Sequence, residues 1–305
     1  IFLFAFIFIN SDIFYAALPL QSTQNKCTGN DVQLTNGPVS NIYFRYAISL
    51  TGRANHFPLI NNNRIFIGTD QGILYCIDLN TGIISWQVKI GNNILTPPYI
   101  TGDFLYIANA ENNIFKISSN FGNVIWSTRF QTKVQSCIGI SNDFIFCLAH
   151  DGHIYKVNAK TGFIVSSYKT NQKPSAYAVA EGNILYSPGE NNNLMAFDIK
   201  DIRLRYSVES ETDLISPPLI CSDKVIITGR NKIYAIDKVR GRIVWIRRLN
   251  LRWFYDSVPV PKRYKDLIFL GERGFDYNDG SGKWLIYARG LRLTDTYIAG
   301  NYLYY

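Results

Sequence analysis

A segment of about forty residues occurs six times along the chain, and no other feature limits the possible fold so tightly. The stretch Tyr75-Cys76-Ile77-Asp78-Leu79-Asn80-Thr81-Gly82-Ile83-Ile84-Ser85-Trp86 returns at residues 115–126, 155–166, 195–206, 234–245 and 275–284. The position after its turn reads Gly82, Gly122, Gly162, Ile202, Gly241 and Gly280, at spacings of 40, 40, 40, 39 and 39. A fixed period of this length marks an array in which each repeat is one supersecondary unit that buries its apolar faces against its neighbours.

Within each period a turn residue precedes an apolar run, as in Asn63-Arg64-Ile65-Phe66, Asp103-Phe104-Leu105-Tyr106 and Asp143-Phe144-Ile145-Phe146. The series continues at Asn183, Asp223, Asp266 and Asn301. Before these runs lie short segments such as Thr96-Pro97-Pro98-Tyr99-Ile100 and Ser216-Pro217-Pro218-Leu219-Ile220, with proline where a strand tolerates it, at its first positions. Four short antiparallel strands joined by tight turns make a β-propeller blade. Composition agrees: 20 Tyr, 19 Phe and a single Met in a chain that is 47% hydrophobic and 18% charged suit pleated, buried strands and exclude a disordered chain. The expected fold class is all-β, a propeller of four-stranded antiparallel blades.

The recurring residues divide the work of one hairpin. Asp78, Asp198, Asp237 and Asp276, near the end of the third strand, are placed to accept hydrogen bonds from turn N–H groups. Gly82, Gly122, Gly162, Gly241 and Gly280 supply positive φ. Trp86, Trp126, Trp245 and Trp284 follow on the outer strand, where one large ring per repeat can pack between blades. Ser166 and Tyr206 stand in place of the tryptophan at two positions and are expected to weaken those contacts. Residues 42–50, with Tyr46 forty before Trp86, read as an outer strand, and 296–305 as the first two strands of a blade, giving seven blades if the ends share one. The chain is expected to be truncated at both ends.

The pattern Ala-x-Asp-x-x-x-Gly-x-x-x-Trp, complete at Ala235, Asp237, Gly241 and Trp245, resembles the tryptophan-docking repeat of the quinoprotein-like (PQQ-like) propellers, and the resemblance covers residues 40–305. It implies eight blades in a full-length ring. One branch of that family consists of dehydrogenases that hold pyrroloquinoline quinone and calcium on the axis and carry a disulfide of adjacent cysteines. Here no two cysteines adjoin and the connections between repeats are minimal, so this branch is the second choice, followed by an interaction propeller for another envelope partner. The compact, secreted BamB branch is the more similar. It implies a non-catalytic periplasmic scaffold without cofactor or metal, held at the inner face of the outer membrane, with a BamA-like β-barrel insertase and other assembly-machinery proteins as partners.

Residues 1–9 form an apolar run interrupted by Asn10, Ser11 and Asp12, and with Ala16 and Ala17 the segment 1–20 reads as the later part of a secretory leader, followed by a linker at 21–39. Nine apolar residues fall well short of the about 20 that span a bilayer as a helix. Cys27 follows Gln24, Asn25 and Lys26 rather than small residues, which argues against lipid attachment there. Cys27, Cys76, Cys137, Cys147 and Cys221 form no ligand or disulfide pattern and are expected as buried thiols. His150-x-x-His153 and Gly280-Ser281-Gly282-Lys283 read as blade turns, the second lacking the spacing of a phosphate loop.

Charge is distributed unevenly. Residues 203–292 hold 18 Lys and Arg against 10 Asp and Glu, whereas the rest of the chain balances 13 against 13. Such an excess suits an acidic protein, anionic lipid or nucleic acid, and no base-reading motif accompanies it. Inside this stretch Leu249-Asn250-Leu251-Arg252-Trp253-Phe254-Tyr255 follows an outer strand with aromatic and Arg side chains of the kind that dominate interfaces. Leu249, Leu251, Arg252 and Trp253 are the expected partner-binding residues, and the Leu-x-Leu-Arg sequence resembles the partner-binding loop of the BamB branch.

Overall fold

The computed structural model describes residues 46–249 and 260–285 apart from 55, 57, 142 and 272, together with the strands Leu3–Ile9, Asp12–Leu18, Tyr43–Phe44, Tyr297–Ala299 and Tyr302–Tyr304. For these five strands, and for 137–141, 264, 284 and 285, the description is of the backbone alone. Every repeat forms one antiparallel sheet with its strands in sequence order. Blade 1 comprises Leu59–Asn61, Arg64–Gly68, Ile73–Asp78 and Ile84–Lys89, and blade 2 Tyr99–Thr101, Phe104–Ala108, Asn113–Ser118 and Val124–Arg129. Blade 3 is Val134–Ser141, Phe144–Ala149, His153–Asn158 and Ile164–Lys169; blade 4 is Val179–Glu181, Ile184–Gly189, Asn193–Asp198 and Arg203–Glu209. Blade 5 is Leu219–Ile220, Lys224–Thr228, Lys232–Asp237 and Ile243–Arg248; blade 6 is Lys262–Tyr264, Leu267–Leu270, Arg273–Asp276 and Gly282–Leu285.

Burial explains why the second and third strands are nearly continuous apolar runs. In Ile65-Phe66-Ile67 and Leu105-Tyr106-Ile107 both faces are covered, so alternation disappears, while the fourth strands are largely exposed. The core lies between blades rather than within them: Phe66, Leu74 and Cys76 of blade 1 pack with Leu105, Ile107 and Ile117 of blade 2. First strands of blades 2, 3, 4 and 5 follow one another on the inside. Across that inside the Tyr177 hydroxyl, just before blade 4, reaches Nδ1 of His56, just before blade 1, at 3.0 Å. Burial holds the His56 imidazole below its ordinary pKa.

Each blade carries a register shift between its third and fourth strands at the same place, from Cys76/Ile77 in blade 1 to Gly274/Phe275 in blade 6. A bulge re-aims the side chain beside it. The residue paired opposite the start of the shift is Trp86, Trp126, Ser166, Tyr206, Trp245 or Trp284.

The described residues contain six four-stranded sheets rather than seven. Tyr43–Phe44 pairs in parallel with Leu3 and Phe4, and 46–50 forms no strand. An outer strand needs a third strand to bond to, and residues 42–50 have none of their own blade. Tyr297–Ala299 and Tyr302–Tyr304 form a two-stranded sheet. Leu3–Ile9 and Asp12–Leu18 make a hairpin whose second strand comes against Tyr297–Ala299, so both ends of the chain meet. The linker at 21–39 lies outside the described residues.

Asn62, Asn63 and Asn192 hold left-handed backbone at φ of 45°, 63° and 57°, as turn residues do. Cys76, Cys147 and Cys221 are buried. His153 faces Asp151 across its own hairpin. No group of three or more metal-ligating side chains occurs among the described residues. No described helix is long and apolar enough to cross a membrane.

Candidate functional site

The turn between third and fourth strands is built as its residues require. Asp78 Oδ1 accepts from the N–H groups of Asn80 and Thr81 at 2.9 and 2.8 Å, and Asp237 Oδ1 from those of Val239 and Arg240 at 2.9 and 2.7 Å. Asp276 accepts from Asn278, and Asp198 from Lys200. Hydrogen bonds from the turn, that of Arg240 foremost at Asp237 and that of Asn278 at Asp276, hold both carboxyl groups below their usual range.

Positive φ is half the reason for the glycine; the other half is the neighbouring blade. A Cβ on Gly122 would stand 2.6 Å from Trp86 ring carbons, and one on Gly280 equally close to Trp245. Trp86 Nε1 donates to Ser119 O, Trp126 Nε1 to Ala159 O and Trp245 Nε1 to Tyr277 O, each at 3.1 Å. The outer strand of one blade is thereby fastened to the turn of the next through a flat face and a terminal hydrogen bond. Tyr46 does the same on Gly82, its hydroxyl donating to Leu79 O at 2.7 Å, although it belongs to no strand.

Tyr206 is not a weak substitute. Its ring lies against Gly241 and its hydroxyl donates to Lys238 O at 2.9 Å, because a phenol reaches the same carbonyl as an indole. Ser166 does lose the ring, and the turn it faces carries Ile202 at φ 49° in place of glycine. Ile202 is 7% exposed and packs with Phe146, Leu148, Phe197 and Ile199. Trp284 is described in backbone only, so its contacts lie outside the described residues.

The junction of blades 5 and 6 is clamped most heavily, and the expected partner-binding segment leaves from it. Arg247 donates to Gly280 O at 2.9 Å and to Asp279 O at 2.5 Å. Tyr277 lies between cations: Lys224 Nζ stands 4.2 Å and the Arg263 guanidinium 3.8 Å from its ring centroid. Its hydroxyl donates to Asp223, which also pairs with Lys224 at 2.8 Å. Those two hydrogen bonds, that of Lys224 first, hold the Asp223 carboxyl down at about 2. None of Arg247, Lys224, Arg263 or Tyr277 stands out in the sequence as a junction residue.

Leu249 donates its N–H to Asn231 O at 2.7 Å and is 2% exposed among Trp245, Ile268, Leu270 and Phe275. It therefore anchors the segment that follows instead of offering itself to a partner. Leu251, Arg252 and Trp253 lie outside the described residues.

A family model described as outer membrane protein assembly factor BamB matches residues 45–145, 70–176 and 150–284. The chain belongs to this family of PQQ-like repeat proteins. The match runs through the six four-stranded sheets of the described residues, ending at residue 284 in the last strand of blade 6. The crystal structure of BamB from Moraxella catarrhalis superposes with a TM-score of 0.64 at 18% identity, covering 77% of this chain and 76% of that one, which shows a shared fold. No curated protein matches the chain by sequence.

Proposed function

We propose that this BamB-family propeller is a non-catalytic periplasmic scaffold at the inner face of the outer membrane, where it binds a β-barrel insertase and aids assembly of outer-membrane proteins. The observation that carries this reading is the family match, continuous from residue 45 to residue 284. The leader-like start of the chain supports the periplasmic location.

A scaffold works through a surface held still by its fold, since ordering a loop on binding costs affinity. Leu249 is fixed in the core at the clamped junction, and the following residues Leu251, Arg252 and Trp253 are the candidate hot spot: one Arg, one Trp and one Leu amid a basic surround. Affinity capture of the full chain from its native envelope, with mass spectrometry, is expected to recover a barrel insertase. The same capture with Leu251→Glu and Arg252→Glu together is expected to lose it while the thermal transition stays unchanged. Recovery of the propeller alone, or undiminished capture by the double variant, overturns the reading or the site respectively.

A further inference from the structure

Cys137 and Cys147 show no disulfide spacing in the sequence, yet the fold sets them directly opposite each other on the first and second strands of blade 3. Pairing is regular on both sides, Ser136 with Leu148 and Ile138 with Phe146. Asp143 O accepts from the Ala159 N–H at 2.8 Å and Ala149 O from the Gly152 N–H at 3.0 Å, both toward the third strand. Backbone groups alternate sides along a strand, so those of Cys147 also face the third strand. Cys137 and Cys147 are therefore a non-hydrogen-bonded pair of the first ladder, the closer of the two kinds, with Cα atoms about 4.5 Å apart and both residues on one face. A disulfide accepts Cα separations of about 4.4–6.8 Å.

Neither cysteine is what the repeat uses at its place. At steps of forty residues Cys137 stands with Pro97, Tyr177 and Pro217, and Cys147 with Ile67, Ile107, Ser187 and Ile227. Two departures from the repeat thus fall on one register position of one blade. They coincide with a change in the strand itself. Blades 2 and 5 carry Pro97-Pro98 and Pro217-Pro218, which cannot donate to a ladder, where blade 3 has Cys137-Ile138. The first strand of blade 3 accordingly pairs over eight residues, while those of the other five blades run two or three. Cys76 lies opposite Phe66 and Trp86, and Cys221 donates its N–H to Lys224 O, so neither of these faces a cysteine.

We propose that Cys137 and Cys147 close to a disulfide across the first two strands of blade 3 when the chain folds in contact with a disulfide oxidant. One thiolate attacks the oxidant, oxidised glutathione or a protein disulfide, to form a mixed disulfide and release a first thiol. The second thiolate then attacks the cysteine sulfur of that mixed disulfide, which forms the Cys137–Cys147 bond and releases a second thiol. Two electrons and two protons pass from the pair to the oxidant. Cys147 is fully buried and packs with Tyr106 and Ala108 of blade 2, so the bond closes before blade 3 has settled on blade 2. The scaffold reading supplies an oxidising compartment but not the geometry, and the test needs neither a partner nor a compartment.

The purified chain is treated with a mixture of reduced and oxidised glutathione, both as isolated and during refolding from urea, then alkylated with iodoacetamide under denaturing conditions and digested with trypsin. Residues 134–156 form one tryptic peptide that carries both cysteines. It is expected unalkylated and two hydrogens lighter than its reduced form, with Cys76 and Cys221 alkylated. The oxidised chain should melt about 3 °C or more above the same chain refolded in reductant. Cys137→Ala should melt at one temperature in either buffer. Alkylation of both cysteines in both samples overturns the inference, and so does a bond from either of them to another cysteine. A redox-dependent transition that persists in Cys137→Ala overturns it too.

Discussion

Ile202 is the branched side chain at the one described blade turn whose docking partner, Ser166, has no ring. At every other pair among the described residues a ring at the outer-strand position meets glycine in the next turn, from Tyr46 on Gly82 to Trp245 on Gly280. The two positions thus behave as one unit spread over adjacent blades: a ring demands glycine, and loss of the ring admits a side chain that restores buried apolar volume. At φ 49° that side chain stands in a backbone region that costs about 1–2 kcal/mol for a residue with a Cβ. The packing of Ile202 has to exceed that cost.

Ile202→Gly is accordingly expected to destabilise, although it relieves strain. Loss of a buried Ile side chain costs about 2–5 kcal/mol, more than the strain returned. Ser166→Trp alone should also destabilise, because Ile202 occupies the space where the indole would lie. Combined, the two changes recreate the pairing seen between blades 1 and 2, and the double variant should be more stable than the sum of the single effects. Denaturant midpoints of the four proteins measure the coupling; strict additivity would separate the two positions.

Gly122→Ala tests the opposite side of the same relationship. Its Cβ would meet the Trp86 ring at 2.6 Å in a backbone at φ 73°, so overpacking and strain act together, for about 2–4 kcal/mol of lost stability. Gly102→Ala is the control. It has positive φ but nothing within 4 Å of the added methyl, so only the smaller backbone penalty is expected there.

The docking rings differ in burial, and their truncation should differ likewise. Trp245 is 6% exposed, whereas Trp86 and Trp126 are half-buried. Trp245→Ala should cost about 3–5 kcal/mol and Trp86→Ala clearly less. Comparable losses at both sites in urea unfolding would mean that burial does not set the strength of docking.

Asp223 makes the junction of blades 5 and 6 acid-sensitive. Its carboxyl is lowered from 3.8 to about 2 by hydrogen bonds from Lys224 and Tyr277. A group with a depressed folded-state pKa contributes stability that is fully present above its unfolded value and is lost as pH falls through the folded value. The stability difference between the unmodified chain and Asp223→Asn should therefore be constant above about pH 5 and shrink between about pH 4 and pH 2. Tyr277→Phe, which removes one of the two donors, should raise the folded-state value, so that the loss becomes smaller and its lower end moves to higher pH. A difference that does not change with pH would show that the carboxylate is not held by these partners.

Period and turn chemistry make the blades legible in the sequence, because Asp78 and Gly82 act within one hairpin and their offsets survive there. Docking was readable in outline for the same reason: Trp86 and Gly122 recur together. Tyr206 is not legible in this way: a phenol in place of an indole reads as a loss in sequence, yet its hydroxyl reaches the equivalent turn carbonyl. Tyr46 shows the limit for a seventh blade. Its position in the period is correct and its ring docks, but a strand also needs a partner to bond with. The clamp of Arg247 on Gly280 and the stacking of Arg263 on Tyr277 leave no local pattern, because they join residues that meet only once neighbouring blades stand at their final angle.

Ala159 O accepts two hydrogen bonds from the preceding blade, from Trp126 Nε1 at 3.1 Å and from Lys116 Nζ at 2.8 Å, and Ala159 itself is 1% exposed. The Lys116 ammonium is also half-covered by the Phe104 ring at 3.9 Å, and burial lowers its pKa. Each donor backs up the other. Lys116→Met keeps the stem packing and leaves the indole in place, so a loss of no more than about 1 kcal/mol is expected. Trp126→Phe similarly leaves the ammonium. Together they strand a buried carbonyl, which costs about 1–3 kcal/mol beyond the single effects. A double-mutant cycle by chemical denaturation reads that excess directly. Its absence would mean that water reaches Ala159 O in the double variant and that the blade 2–blade 3 junction is looser than its hydrogen bonds suggest.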